Sequence, residues 1–327
     1  MKKLIFAMAA VVALAACSKE QTIVADRGEA IGFGNPFIEN ATRQAIDGSY
    51  SGTKELTSFK VYGTVTGNGN TVLLYDGDDV VGNVGDAVWG CTAAEQYWIP
   101  NCSYKFYAIT DATSVSPADA MPTTITYNEN TTANGDLMLA IVDDTTNAQA
   151  TPSMGNPVKF TFTHLLSKAK FTFTKTAYSN TRYTFTVKNI KFTDAYKSGV
   201  YNIAAGTWGS QNNKGELTFG NLEGNGNITT TNATTGLESY NERQLVPATY
   251  TASNPLTISF DVVMMLDGKE LSTVNYTKKF PAEGGADYTF SKNKAYDFNV
   301  VLGDNNTITF TVQELTGWDS KTDISIP

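Results

Sequence analysis

Histidine and cysteine are scarce in this chain of 327 residues, which contains one histidine and three cysteines. A hydrolytic triad needs a base beside its nucleophile, and the single histidine, His164, lies in an alternating apolar stretch typical of a structural residue. Zinc sites use clustered histidine and cysteine, and neither CxxC nor HExxH occurs. We therefore predict no catalytic residue, no metal site and no cofactor.

Charged residues are also few, at 17% of the chain, and they sum to a net charge of −8. A negative surface repels a phosphate backbone, which argues against nucleic acid as a partner. Glycine, threonine, asparagine and aromatic residues are plentiful instead. This balance favours strands and turns over helices.

Long apolar runs are absent after the N-terminus, where residues 4–14 follow Lys2 and Lys3. Residues 1–16 therefore have the pattern of a secretory signal peptide, which is too short to span a membrane comfortably. The stretch LAAC resembles the bacterial lipobox, in which the cysteine is acylated and becomes the first mature residue. We expect Cys17 to be this lipidation site and to anchor the chain to a membrane surface.

The other two cysteines, Cys91 and Cys102, lie close together in the sequence. Outside the cytoplasm such a pair can close a loop with a disulfide worth roughly 2–3 kcal/mol. The alternative is a pair of buried thiols. We favour the bridge.

Apolar and polar residues alternate with a period of two through much of the chain, and glycine and asparagine fill the connections. This pattern predicts antiparallel strands with one packed face and one wet face, joined by tight turns. The fold class is therefore all-β, with two β-sandwich domains and little helix. The clearest segments are residues 59–65, 158–173, 183–187, 256–266, 296–302 and 307–312.

The domain boundary is predicted near residue 165, after a loop rich in threonine, asparagine and proline at residues 143–157. The N-terminal domain then covers residues 44–165 and the C-terminal domain residues 166–327. The strand-like stretch around His164 runs from one to the other.

An early segment, EAIGFGNPFIENATRQAI, begins at Glu29 and shows strand-like spacing at Ile31, Phe33 and Phe37. Arg43 is the one basic residue in this run. The pattern predicts an extended apolar strand followed by an isolated protease-susceptible site.

Three aromatic residues allow a different kind of site. Trp89, Tyr97 and Trp98 could form a sugar-stacking platform on a surface protein, although aromatics on alternating strands more often fill a core.

Several motifs, in their order and spacing, resemble the fimbrillin superfamily of Bacteroidetes, the type V pilins. They are LAAC, Thr42-Arg43, LTSFKVYG at 56–63, GDLMLA at 135–140, HLLSKAKFTFT at 164–174, KAYDFNVVL at 294–302, and Trp318. The resemblance implies two transthyretin-like sandwich domains and a role as a structural subunit of a cell-surface fimbria that supports adhesion and biofilm formation.

The resemblance also implies a maturation pathway. A lipidated precursor on the outer membrane would be cut after Arg43 by a trypsin-like or arginine-specific protease, leaving Gln44 as the new N-terminus. Cleavage at Arg27 would leave the apolar strand in place. Loss of residues 17–43 would open a groove in the N-terminal domain, and a C-terminal strand of another subunit would fill it.

Repetition of this exchange gives a head-to-tail homopolymer, with anchor and tip subunits as further partners. The donor residues are expected to alternate near the C-terminus, at Ile308, Phe310, Val312, Ile324 and Ile326. The alternatives are a non-polymerising anchor or tip subunit and a glycan-binding surface lipoprotein.

Overall fold

The computed structural model describes residues 29–38, 56–83, 86–130, 135–143, 157–222, 226–239, 241–303 and 308–315. These residues form twenty strands and no helix, which confirms the predicted all-β class. The described residues accordingly include no helix that could span a membrane.

Nine strands precede residue 165. They are β1 (Phe37–Ile38), β2 (Ser58–Gly67), β3 (Asn70–Val81), β4 (Gly90–Cys91), β5 (Ser103–Ile109), β6 (Ser114–Ser116), β7 (Thr124–Asn128), β8 (Met138–Asp143) and β9 (Thr161–His164). Seven of them form one sheet in the order β1-β9-β8-β5-β2-β3-β4.

Eleven strands follow. They are β10 (Ser167–Lys175), β11 (Tyr183–Asn202), β12 (Thr207–Gly220), β13 (Leu237–Glu238), β14 (Arg243–Leu245), β15 (Ala248–Tyr250), β16 (Leu256–Leu266), β17 (Lys269–Phe280), β18 (Tyr288–Phe290), β19 (Lys294–Leu302) and β20 (Ile308–Leu315).

These later strands, together with β6 and β7, form three sheets. A five-stranded sheet has the order β13-β10-β19-β20, with β14 also paired to β10. A six-stranded sheet has the order β17-β16-β11-β7-β6, with β12 also paired to β11, and β15 pairs with β18 in a small separate sheet.

Aromatic side chains on alternate positions fill the core of each half. In the C-terminal half, Phe171 and Phe173 of β10 face inward, and their rings contact Phe219 of β12 and Phe260 of β16 at 4.8 and 5.1 Å. The period-two pattern thus packs the five-stranded sheet against the six-stranded one, as in a β-sandwich.

The sheets change close to residue 165, but they do not divide the chain cleanly there. β9 belongs to the seven-stranded sheet and β10 to the five-stranded sheet, with Leu165 and Leu166 buried between them. Within the predicted N-terminal domain, however, β7 pairs with β11, so that hairpin β6–β7 joins a sheet of the C-terminal half. The boundary at residue 165 stays a prediction.

Candidate functional site

Residues 29–38, called here the early strand, pair with other parts of the N-terminal half on both sides. On one side the early strand runs antiparallel to residues 89–98, where Ile31 N donates to Gln96 O at 2.8 Å and Trp89 N donates to Phe33 O at 2.8 Å. The backbone of an early segment thus fills a position between two other parts of the chain.

On the other side, the early strand runs parallel to residues 157–162. Val158 N donates to Gly32 O at 2.8 Å, Gly34 N to Val158 O at 2.9 Å, and Phe37 N to Phe160 O at 2.8 Å. Gly34 suits this close approach, because a Cβ there would lie 3.1 Å from Pro157 Cγ, a tight contact.

Two side chains of the early strand enter the N-terminal core. Ile31 is 7% exposed and Phe33 only 1%. The Phe33 ring stacks on Phe160 with centroids 5.9 Å apart and meets Tyr75 edge-on at 5.3 Å. Removing the early strand would therefore vacate a deep aromatic pocket.

The third predicted inward residue, Phe37, points outward and is 41% exposed. Pro36 is buried instead, and Ile38 packs against the core cluster. The buried residues are thus odd-numbered up to Phe33 and even-numbered from Pro36 onward. The change occurs near a proline, which cannot donate a hydrogen bond to a neighbouring strand. A shift of one residue moves every following side chain to the other face.

The residues expected to control processing lie outside the described part of the chain. They are Cys17, Arg27, Arg43 and Gln44. Lipidation and cleavage there stay predictions.

The C-terminal donor candidates fall into two groups. Ile308 and Val312 lie on β20, which pairs with β19 at the edge of the five-stranded sheet, and Phe310 opposes Val300 in this register. Val312 is buried in the core of its own half, and Ile308 packs against it. Ile324 and Ile326 lie outside the described residues.

The expected bridge between Cys91 and Cys102 is not formed in the structure, where both are free thiols. Cys91 opposes Val80, which opposes Phe59 near the start of β2. Cys102 instead contacts Gly67 at the end of β2. Placement near opposite ends of one strand keeps the two sulfur atoms apart, and a disulfide requires adjacent Cα atoms.

The prediction of a sugar-stacking platform is wrong for Trp89 and Trp98. Trp89 and Trp98 are 2% and 8% exposed. Trp89 stacks on Phe59, and Trp98 meets Tyr104 edge-on with centroids 4.6 Å apart. Both indoles therefore fill the core around the early strand.

His164 is a buried structural residue that pairs with Asp136. Its Nδ1 lies 2.9 Å from Asp136 Oδ1, and the two residues are 3% and 0% exposed. Asp136 N in turn donates to Asp111 Oδ2 at 2.9 Å. Sequence reasoning found His164 but missed both acids, although Asp136 lies in the GDLMLA motif. Among the described residues, no three potential metal ligands converge.

Asp111 also lines a surface cavity of about 400 Å³ together with Lys60, Tyr62 and Asp79. Lys60 and Asp79 form an exposed ion pair at 3.0 Å. The Tyr62 ring is only 5% exposed, so the cavity offers no broad aromatic face to a sugar.

Burial raises the pKa of the Asp111 carboxyl, the nearby Asp136 charge adds to this effect, and the hydrogen bond from Asp136 N opposes it. A raised folded-state pKa makes ionised Asp111 destabilising at neutral pH. We expect Asp111→Asn to raise the free energy of unfolding at pH 7 in urea denaturation. The gain should shrink as pH falls toward about 3.9, the ordinary aspartate value. An equal gain at every pH would contradict this cause.

Comparisons with known proteins place this geometry in a family. The Fimbrillin-like family profile matches residues 42–318. No curated protein sequence matches the chain.

Solved structures share the fold. A fimbrial protein from Bacteroides vulgatus is 19% identical with a TM-score of 0.61, and the match covers 89% of this chain and 100% of that one. A proposed cell adhesion protein from Bacteroides uniformis is 15% identical with a TM-score of 0.54, covering 90% and 100% of the two chains. The fold and the profile match lead to one conclusion: this chain belongs to the Fimbrillin-like family.

Proposed function

We propose that this protein is a surface fimbrial subunit that polymerises when its early strand is removed by proteolysis and replaced by a strand of a second copy. The observation that carries this proposal is that the early strand hydrogen-bonds to residues 89–98 on one side and 157–162 on the other, with Ile31 and Phe33 buried. The family match supports a fimbrial or adhesive role at the cell surface, and it begins at residue 42, beside the predicted cleavage site.

The physical drive for exchange is the groove that the early strand leaves. Refilling the pockets of Ile31 and Phe33 contributes roughly 1.5–3 kcal/mol for each side chain. The incoming strand also restores backbone hydrogen bonds to residues 89–98 and 157–162, whose groups would otherwise be unpaired, as in other cases of strand addition.

The donor lies at the other end of the chain, which makes the contact heterologous. Such a contact repeats as an open filament instead of closing into a dimer. Ile308 and Phe310 have the same spacing as Ile31 and Phe33, and so do Ile324 and Ile326. Among the described strands, β20 pairs with β19 alone, so it can leave its sheet without separating other described strands.

Before cleavage, the early strand blocks the groove of its own subunit and the acyl chains on Cys17 hold the precursor at the outer membrane. A cut after Arg43 separates both from the rest of the chain at once. Assembly is thereby restricted to subunits that have already reached the surface.

Arg43→Ala tests this pathway. Arginine-specific protease should convert the purified precursor to a chain beginning at Gln44 and to ladders on an unboiled denaturing gel. Arg43→Ala should remain monomeric because the early strand stays attached. Arg27→Ala is the matched control, and it should still form ladders.

N-terminal sequencing of the cut chain fixes the site. A cut but monomeric product would contradict self-polymerisation and would support an anchor or tip role. Ladders from Arg43→Ala would contradict the assigned cleavage site.

A further inference from the structure

Lys170 of β10 lies beside two carboxylates on the sheet face opposite Phe171 and Phe173. β10 and β19 are parallel neighbours, and their register pairs Lys170 with Asp297. Lys170 Nζ is 3.6 Å from Asp297 Oδ2 and 2.8 Å from Glu238 Oε1. Lys170 is 6% exposed and Asp297 8%, so the amine and the acid are nearly closed to water.

One oxygen of the Asp297 carboxyl accepts a hydrogen bond, and the other does not. Thr172 Oγ1 donates to its Oδ2 at 2.8 Å, whereas its Oδ1 is buried without a hydrogen-bond partner among the described residues. Burial raises the pKa of this carboxyl, and the Lys170 charge only partly opposes the shift. The Asp297 carboxylate therefore accepts a proton more readily than an exposed aspartate does, and the protonated carboxyl is the form that an amine can attack.

We propose that Lys170 and Asp297 condense into an intramolecular isopeptide bond, with Glu238 relaying the protons. In this step the Nζ–Cγ bond forms and one Cγ–O bond of Asp297 breaks. Glu238 accepts protons from Nζ and passes them to the departing oxygen. One ammonium and one carboxylate become one amide and one water, and neither oxidant nor reductant is needed.

Glu238 is needed because Lys170 begins as an ammonium ion. Burial lowers the pKa of Lys170, but the hydrogen bond to Glu238 and the charges of Asp297, Glu238 and Glu242 outweigh it and raise the pKa. Nζ must lose a proton before it can act as a nucleophile, and Glu238 is the base within hydrogen-bond distance.

The product would remove a buried ion pair, an arrangement whose desolvation penalty can exceed its electrostatic gain. It would also tie β10, the first strand of the C-terminal half, to β19, which holds edge strand β20. Force entering through the C-terminus would then act on a covalent bond as well as on the ladder between these strands. This inference does not depend on how the subunits assemble.

Mass spectrometry of the purified intact chain tests the bond. We expect a mass lower by one water than the sequence predicts, and protease digestion should release a branched peptide joining Lys170 to Asp297. Lys170→Arg, Asp297→Ala and Glu238→Gln should each show the full mass. Asp297→Asn should lose one ammonia instead, because an amide then supplies the leaving group.

Lys168→Arg is the matched control. Lys168 is buried on the same strand and pairs with Glu242 at 3.0 Å, but that carboxylate side chain is 39% exposed. The control should keep the loss of one water. A wild-type chain of full mass would overturn the proposal without any variant, and so would a loss of water that persists in Lys170→Arg.

Discussion

A chain that begins at Gln44 is expected to be less stable than the precursor by about 3–6 kcal/mol, because the pockets of Ile31 and Phe33 are empty. The hydrogen bonds lost with residues 29–38 are offset in part by the entropy of a segment that no longer has to be ordered. Urea denaturation of the two chains at low concentration, where exchange between subunits is slow, measures the difference. Equal stabilities would show that the early strand is not a structural part of the sheet.

Peptides added in trans then identify what the groove accepts. A peptide of residues 29–38 should restore stability to the truncated chain, by about 2.7 kcal/mol when its concentration is 100 times its dissociation constant. The same peptide with Phe33→Ala should bind much more weakly, and the one with Phe37→Ala should bind nearly as well. This contrast distinguishes specific filling of the Phe33 pocket from non-specific hydrophobic binding.

Peptides of residues 308–315 and 316–327 distinguish the two donor candidates in the same assay. The peptide that contains the donor should stabilise the truncated chain and compete with residues 29–38, because both need the backbone of residues 157–162. If neither C-terminal peptide binds, strand exchange by this end of the chain is contradicted, although the plugging role of the early strand would stand.

The sequence predicted the parts of this fold that depend on local periodicity. Alternation of apolar and polar residues located β2, β10, β16 and β19, because a strand with one buried face must repeat every two residues. The early strand was predicted on the same ground. Ile31 and Phe33, its first two apolar positions, are buried in the structure.

Features that depend on distant pairing were missed. Phe37 breaks the alternation because the strand changes phase near Pro36, and the spacing of apolar residues alone does not reveal this. The pairing of β7 with β11 joins segments far apart in the sequence. Asp136 lies just before β8 and His164 ends β9, so only the register of β8 with β9 places the two side chains together.

Within the intact precursor, Phe33→Ala should lower the free energy of unfolding by about 3–5 kcal/mol, the usual range for removing a buried phenylalanine. Phe37→Ala is the matched control on the same strand. Its side chain is 41% exposed, so its effect should stay within about 0.5 kcal/mol, as for other surface substitutions. Denaturation midpoints for both variants, with unchanged slopes, provide the measurement.

Phe33→Ala also has an expected effect on assembly, because the stability that the precursor loses is lost in the packing of the early strand. Weaker packing of the early strand favours its release, so the cut variant should form ladders faster than the wild type after the same protease treatment. Residues 44–327 are unchanged in both, and their fully released chains should assemble at equal rates. The contrary result is that Phe33→Ala destabilises the precursor and leaves the rate of ladder formation unaltered. That result would show that departure of the early strand does not limit assembly. The rate-limiting step would then be the release of the donor strand.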